Sequence, residues 1–225
     1  MGVGHSYQNY GKCRNGMSRV RLIHNIASDI EVNVKLDGMI RARDVKYKDV
    51  SDYLEINPGK HNIRIFNAKT KECISQLSTT VTICRNKTYT VIVSGVITDL
   101  ESLKLLTIVD DKMNPSEGKA MVRFVHAASG TFEDGVDVYN RSNGDDLVFQ
   151  DYKYGYASKY IEVDPGVLSL IVAPTGSLDG VGPFPVETKE NKIYTIIASG
   201  LFDSEEYPVT AIVTMDKAMC ICLYD

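Results

Sequence analysis

The chain has 225 residues and a formal net charge of −4. That length suits two domains of ~100 residues each, and the acidic balance offers no basic face for phosphate, which argues against nucleic acid as a partner. Hydrophobic residues make up 44% and charged residues 24%, so a packed core is expected, and no apolar run reaches the ~18 residues that cross a bilayer.

Residues 1–17 are rich in Gly, Asn and Tyr and show no aliphatic periodicity, so they are expected to form an N-terminal arm. They lack the apolar stretch of a secretory signal peptide. Met1-Gly2-Val3-Gly4-His5-Ser6 matches the short pattern for N-myristoylation, which has weight only in a eukaryotic host. The cysteines are Cys13, Cys73, Cys84, Cys220 and Cys222. An odd count leaves at least one outside internal pairing. Cys13, Cys220 and Cys222 fall in the terminal segments, which makes them candidates for disulfides between subunits; free cytosolic thiols are the alternative. The Cys220-Ile221-Cys222 pair lacks partners at zinc-ligand spacing, so no metal is expected.

The first domain is expected over 18–110. Arg19-Val20-Arg21-Leu22-Ile23-His24 reads as a strand with Val20, Leu22 and His24 on one face. Ile30 to Leu36 alternates and ends at the turn Asp37-Gly38. A short strand is placed near Val45 to Tyr47, another at Tyr53 to Ile56, and Pro58-Gly59 then turns the chain into His61 to Phe66. A longer strand is expected from Ile74 to Ile83, followed by Thr88 to Gly95 and Leu103 to Val109. Short strands with turn signals every ~8–12 residues form the pattern of a β-sandwich. No segment sustains a helical apolar period.

Residues 111–118 are polar, contain Pro115 and Gly118, and read as a short linker between domains that touch. The second domain, 119–216, repeats the first. Ser51-Asp52-Tyr53-Leu54-Glu55-Ile56-Asn57-Pro58-Gly59 returns as Ser158-Lys159-Tyr160-Ile161-Glu162-Val163-Asp164-Pro165-Gly166. Val20 to His24 returns as Val122 to His126, and the stretch Lys87 to Gly95 as Ile193 to Gly200. A Gly/Pro-rich insertion, Pro174 to Pro185, is read as a loop. Residues 217–225 form a strand-like apolar tail, which is expected to be paired or covered.

These repeated blocks resemble the bacterial domain of unknown function family 4397 in two tandem copies, over 19–110 and 120–216. The resemblance rests on Val-Arg-φ-φ-His (φ, aliphatic or aromatic), on the Ser-x-Tyr-φ-Glu-φ-x-Pro-Gly block and on the Tyr-Thr-φ-φ-φ-Ser-Gly strand. It implies Ig-like β-sandwich domains of exported or surface-associated proteins with no assigned catalytic activity. The absence of an export signal and the cysteine-bearing tails depart from that pattern. The expected fold is therefore all-β: two tandem Ig-like antiparallel β-sandwich domains with extended N- and C-terminal arms.

His24 and His126 occupy equivalent places, each followed by a serine, Ser28 or Ser129, with Asp29 or Glu133 and Asp134 near. No Gly-x-Ser-x-Gly elbow holds either serine, so each histidine is expected to end its strand and bond loop backbone. Tyr53 and Tyr160 are expected to pack on a sheet edge with bonded hydroxyls, and Glu55 and Glu162 to face solvent. One carboxylate per block does not make a glycosidase pair. Asp145-Asp146, Asp134/Asp137 and Asp110-Asp111 lack the spacing of a calcium loop and read as solvated turns. Asn86-Lys87-Thr88 and Asn140-Arg141-Ser142 are glycosylation sequons, relevant only in a eukaryotic secretory path. Pro58, Gly59, Pro165 and Gly166 are assigned, with the histidines and tyrosines, to the repeat's own structure. No enzyme activity, cofactor or metal is expected. The expected function is structural: copies of the protein assembling into a surface layer, coat or filament at a cell, spore or other particle surface, through the arms and through disulfides. The alternative is a surface module for a glycan or protein ligand, with the Pro174 to Pro185 insertion as contact; a cytoplasmic location is the alternative to the surface.

Overall fold

A computed structural model describes residues 16–110, 114–130, 135–142 and 144–216. The first half contains β1 (Ser18–Ile26), β2 (Val32–Leu36), β3 (Met39–Val45), β4 (Leu54–Ile56), β5 (Gly59–Asn67), β6 (Thr79–Ile83), β7 (Thr88–Val96) and β8 (Asp99–Asp110). The second contains β9 (Ala120–His126), β10 (Val136–Asn140), β11 (Asp146–Tyr152), β12 (Ile161–Val163), β13 (Gly166–Pro174), β14 (Val181–Thr188), β15 (Ile193–Ser199) and β16 (Thr210–Met215). The protein is thus all-β, in two sandwich-like halves. The first stacks the sheet β4-β1-β7-β8 on β3-β2-β5-β6; the second stacks β12-β9-β15-β16 on β11-β10-β13-β14.

Each half has its own apolar core. Val20, Leu22, Val34, Leu36, Ile63, Ile65, Val91 and Val93 meet in the first; Val122, Phe124, Val138, Leu170, Val172 and Ile196 meet in the second. The alternate residues of β1, β7, β9 and β15 point the other way and meet between the halves, where Ile23, Ile92, Val125, Ala127, Ile197 and Ile212 form a third core. Residues Thr88 to Gly95 of β7 are accordingly all buried. A strand covered on both faces loses the apolar/polar alternation of a surface strand.

Four sequence expectations need correction. The sheets are not wholly antiparallel: β1 runs parallel to β7, and β9 parallel to β15. The intervening strands cross to the other sheet and return, which delivers the later strand in the same direction as the first. The strand expected from Ile74 to Ile83 is broken by a 3-10 turn at Ser75–Leu77, and the one expected at Val45 to Tyr47 lies earlier, at Met39–Val45. Pro174 to Pro185 is not a projecting loop, because Val181–Thr188 is edge strand β14, paired with β13. Pro183 and Pro185 are tolerated there because an edge strand has one side free of ladder bonds.

Pro58-Gly59 and Pro165-Gly166 mark the corners where the chain leaves one sheet for the other, between β4 and β5 and between β12 and β13. Gly59 and Gly166 have φ of 137° and 146°, a conformation that residues with a Cβ avoid.

Candidate binding site

The contact between the halves is built from two reciprocal sets of side chains. Arg21 on β1 forms an ion pair with Asp216, just past β16, and Arg123 on β9 does the same with Asp110, the last residue of β8. Arg21 Nε donates to Thr90 Oγ1 at 2.8 Å, and that hydroxyl donates to Asp110 at 2.9 Å. Arg123 Nε donates to Thr195 Oγ1 at 2.8 Å, and Thr195 donates to Asp216 at 2.6 Å. Tyr53 and Tyr160 complete the sets, their hydroxyls donating to Asp110 at 2.9 Å and Asp216 at 2.6 Å. Burial, with the adjacent carboxylates, pushes both phenol pKa values up. Each guanidinium also lies over the tyrosine ring of its own half, at 4.9 Å for Arg21 and 4.7 Å for Arg123. The aspartates and arginines are buried, and every charge is paired and hydrogen-bonded, which is the condition for tolerating it there.

The two sandwiches are filled unequally. In the first, a cavity of about 290 Å3 opens between edge strands β4 and β3. Its wall is mainly aliphatic, including Leu22, Val34, Ala42, Leu54 and Ile63, with Arg41, Ser51 and Asp52 also in the lining. Register gives the counterparts in the second half. Val34 pairs with Ala42 and Val32 with Val45, while Val138 pairs with Phe149 and Val136 with Tyr152. Leu22 lies opposite Val91, and Phe124 opposite Ile196. Thus Leu22, Ala42 and Val45 stand where the second sandwich has Phe124, Phe149 and Tyr152. Those three rings pack together, with centroids 5.7 to 6.1 Å apart. The cavity left against Phe124, Val138, Leu170 and Ile196 is about 10 Å3. The hollow of the first sandwich is therefore a loss of side-chain volume at positions where the fold accommodates rings.

A cleft of about 560 Å3 has its wall from both halves, with Asp99, Glu101 and Lys104 on one side and His126, Tyr154 and Phe202 on the other. Lys104 Nζ lies 4.5 Å from the Tyr154 ring centroid.

Both histidines are fully buried; both ring nitrogens of His24 and Nδ1 of His126 have no partner within ordinary hydrogen-bond geometry, while the backbone of Ile30 in the following loop lies close enough to His24 to favour its charged form. Burial lowers each pKa to about 4, and for His126 the charge of Lys104 adds to it. His126 packs against the rings of Phe124, Tyr154 and Phe202 instead. Ser28 Oγ accepts from Ile30 N, so it turns to its own loop. Glu55 and Glu162 are exposed, and Glu162 accepts from Ser116 N in the linker at 2.7 Å. Asp137 is not a solvated turn: it is buried and accepts from Asp151 N, Gly176 N and Tyr139 Oη. Asp110 is likewise buried, in the contact between the halves. Among the described residues no group of three His, Cys, Asp or Glu side chains has metal-binding geometry. Cys73 and Cys84 are exposed free thiols; Cys13, Cys220 and Cys222 lie outside the described residues, as do Glu133 and Asp134. No helix among the described residues is long and apolar enough to cross a membrane.

Sequence reasoning missed the charged contact between the halves. The available signal was the recurrence of polar residues inside otherwise apolar strands: Arg21 with Arg123, Thr90 with Thr195, and Asp110 with Asp216.

No curated protein matches the sequence. Among solved structures, the chain is similar to the C-terminal domain of AlgF from P. aeruginosa, at 17% identity and a TM-score of 0.32, covering 44% of this chain and 100% of that one. It is similar to a family 41 carbohydrate-binding module from streptococcal virulence factors, in a study of α-glucan recognition, at 13% identity and a TM-score of 0.26, covering 86% and 95%. A putative cell adhesion protein from Parabacteroides distasonis aligns at 11% identity and a TM-score of 0.25, covering 90% and 99%. A family model described as Domain of unknown function (DUF4397) matches residues 18–133, just over half of the chain, and the protein belongs to that family.

Proposed function

We propose that this protein is a non-enzymatic structural subunit that associates with copies of itself at a cell, spore or other particle surface. The observation that carries this reading is the apolar hollow of the first sandwich, open between two edge strands where the second sandwich is filled by its own rings. An apolar recess beside unpaired strand edges favours strand addition from a partner. The paired charges between the halves hold the two sandwiches face to face, which suits a repeating structural subunit. The second half is read as another copy of the same domain, supported by its identical strand order and reciprocal contact residues. Cys13, Cys220 and Cys222 add covalent links between subunits where an oxidant such as dioxygen or a disulfide donor is present.

Size-exclusion chromatography and negative-stain microscopy test this reading, with and without reductant. Concentration-dependent large species are expected, and their reductant-resistant fraction should match that of a Cys13→Ser, Cys220→Ser, Cys222→Ser variant. A protein that stays a 25.0 kDa monomer at all concentrations overturns it.

A second reading, a surface module for a glycan, is favoured by the cleft between the halves. There the rings of Tyr154 and Phe202 stand beside Asp99, Glu101 and Lys104, a pairing of aromatic and polar groups that suits a sugar. Glycan-array binding abolished by Phe202→Ala would favour it over self-association.

A further inference from the structure

We propose that in each copy the hollow of the first sandwich is covered by the chain's own residues 218–223. This rests on the self-association reading and adds its regulation: the segment has to leave before a partner can enter the hollow.

The point of departure is fixed by the contact between the halves. Asp216, which the tail follows, is ion-paired with Arg21, and Arg21 and Tyr53 are among the residues that line the hollow. Both members of the pair are buried. The tail therefore starts at the rim of its own copy's hollow. Leu54 pairs with Val20, beside Arg21, so the β4 wall lies one strand spacing of ~5 Å from β1. An extended chain advances ~3.3 Å per residue, and a few residues bridge that distance. The second half shows the course that a chain takes from such an anchor. Asp110 is held by Arg123, and in the chain that follows Ser116 N donates to Glu162 on edge strand β12, while Lys119 Nζ lies 2.6 Å from Asp164 Oδ1. Cys222 stands as far past Asp216 as Ser116 does past Asp110. The same course brings it to Glu55, the counterpart of Glu162 on β4, at the mouth of the hollow.

The composition of each segment matches the filling of the half it passes. The chain that passes the filled sandwich is polar, Asp111-Lys112-Met113-Asn114-Pro115-Ser116-Glu117-Gly118. The chain that passes the hollow one is Ala218-Met219-Cys220-Ile221-Cys222-Leu223, which alternates. Extended, it carries Met219, Ile221 and Leu223 on one side and Cys220 and Cys222 on the other. Three apolar side chains spaced two apart match a recess of about 290 Å3 walled by Leu22, Val34, Ala42 and Leu54. The N-terminal segment, residues 1–15, has no such face. Phe124, Phe149 and Tyr152 close the second sandwich from within; the tail closes the first from outside.

With the apolar side turned in, Cys220 and Cys222 face away from the hollow and stay open to a disulfide with another copy. A partner strand competes with a segment tethered to the hollow it would enter. Its apparent affinity falls in proportion to the fraction of copies whose hollow is open, so the tail sets the concentration at which self-association begins.

The test uses the full chain under reductant, diluted until sedimentation shows single copies, a variant lacking residues 217–225, and a synthetic peptide of residues 217–225 with both cysteines replaced by serine. The tail-less protein is expected to bind the peptide one to one, and the full chain at least tenfold more weakly. Ile221→Asp in the full chain leaves both sandwiches untouched and should restore the binding. It should also lower the concentration at which large species form at least tenfold. Ala42→Phe in the tail-less protein should weaken peptide binding at least tenfold while thermal unfolding stays cooperative. If the full chain and the tail-less protein bind the peptide equally, the covering segment is wrong, although self-association stands where the large species form. If the full chain refuses the peptide only at concentrations where it is assembled, another copy fills the hollow and the own-chain assignment is wrong. If Ile221→Asp restores peptide binding while every form stays a single copy at all concentrations, the segment covers the hollow and the self-association reading fails.

Discussion

Arg21, on the first strand of the protein, is ion-paired with Asp216, the last described residue, across the contact between the sandwiches. Arg123 and Asp110 repeat the arrangement with the halves exchanged. Removing one partner leaves a buried charge without compensation. Asp216→Ala is expected to destabilise the protein by about 3–5 kcal/mol, and Asp110→Ala by a similar amount. Urea unfolding followed by circular dichroism measures this. The double variant Arg21→Ala, Asp216→Ala should cost clearly less than the sum of its single changes, since neither charge is then stranded; strict additivity would count against the pairing.

Filling differs between the halves, so substitutions at matching positions should act in opposite directions. Phe149→Ala opens the second sandwich and should cost about 3–5 kcal/mol. Ala42→Phe fills the first and should stabilise it by about 1–2 kcal/mol, within the range for burying a phenyl ring. Equal destabilisation by both changes in chemical unfolding would mean that the hollow cannot accept a ring.

The buried histidines make stability depend on pH. His24 and His126 have pKa values of about 4 in the folded protein, against an ordinary value of about 6.5 when the chain is unfolded. The unfolded chain binds more protons between those limits. The stabilisation from keeping each ring neutral is therefore complete above the upper limit, declines as pH falls, and is lost below the lower one. The linkage is about 3 kcal/mol per histidine across that window. Urea midpoints measured from pH 7 to pH 4 should fall more steeply for the natural protein than for a His24→Gln, His126→Gln variant. Parallel profiles would show that the rings do not titrate in this way.

The described chain ends stand in the same relation as the ends of the linker. Asp216 is held by Arg21, three residues along β1 from Ser18; Asp110 is held by Arg123, three residues along β9 from Ala120. Residues 111–119 join Asp110 to Ala120, so a copy of them should join Asp216 to Ser18. A circular permutant made that way, with new ends opened at residue 112, should keep the β-sheet circular dichroism spectrum and melt within about 4 °C of the parent, a shift of the size that ~1 kcal/mol produces in a protein of this length. Failure to fold would show that the two halves are less equivalent than their contacts indicate.

The repeated blocks and most of the strands were legible in the sequence because side-chain alternation and turn chemistry are local properties. Val20 and Leu22 announce a core-facing edge of β1, and Pro58-Gly59 and Pro165-Gly166 announce corners. The parallel course of β1 and β7 was not legible, since a strand's direction relative to a neighbour is set by how the intervening chain crosses between sheets. Nor was the broken strand after Ile74, where a single 3-10 turn interrupts an otherwise strand-like composition.

The sequence by itself determined that the protein consists of two similar β-sandwich halves, and it singled out Tyr53 and Tyr160 as matching residues. Tertiary structure decided what those residues do. Arg21 and Asp216 lie at opposite ends of the chain, and packing the halves face to face makes them a buried pair. The candidate site was decided at the same level. Ala42 is an unremarkable small residue in a strand until register sets it where the other half has Phe149, and the hollow then follows from the difference in side-chain volume.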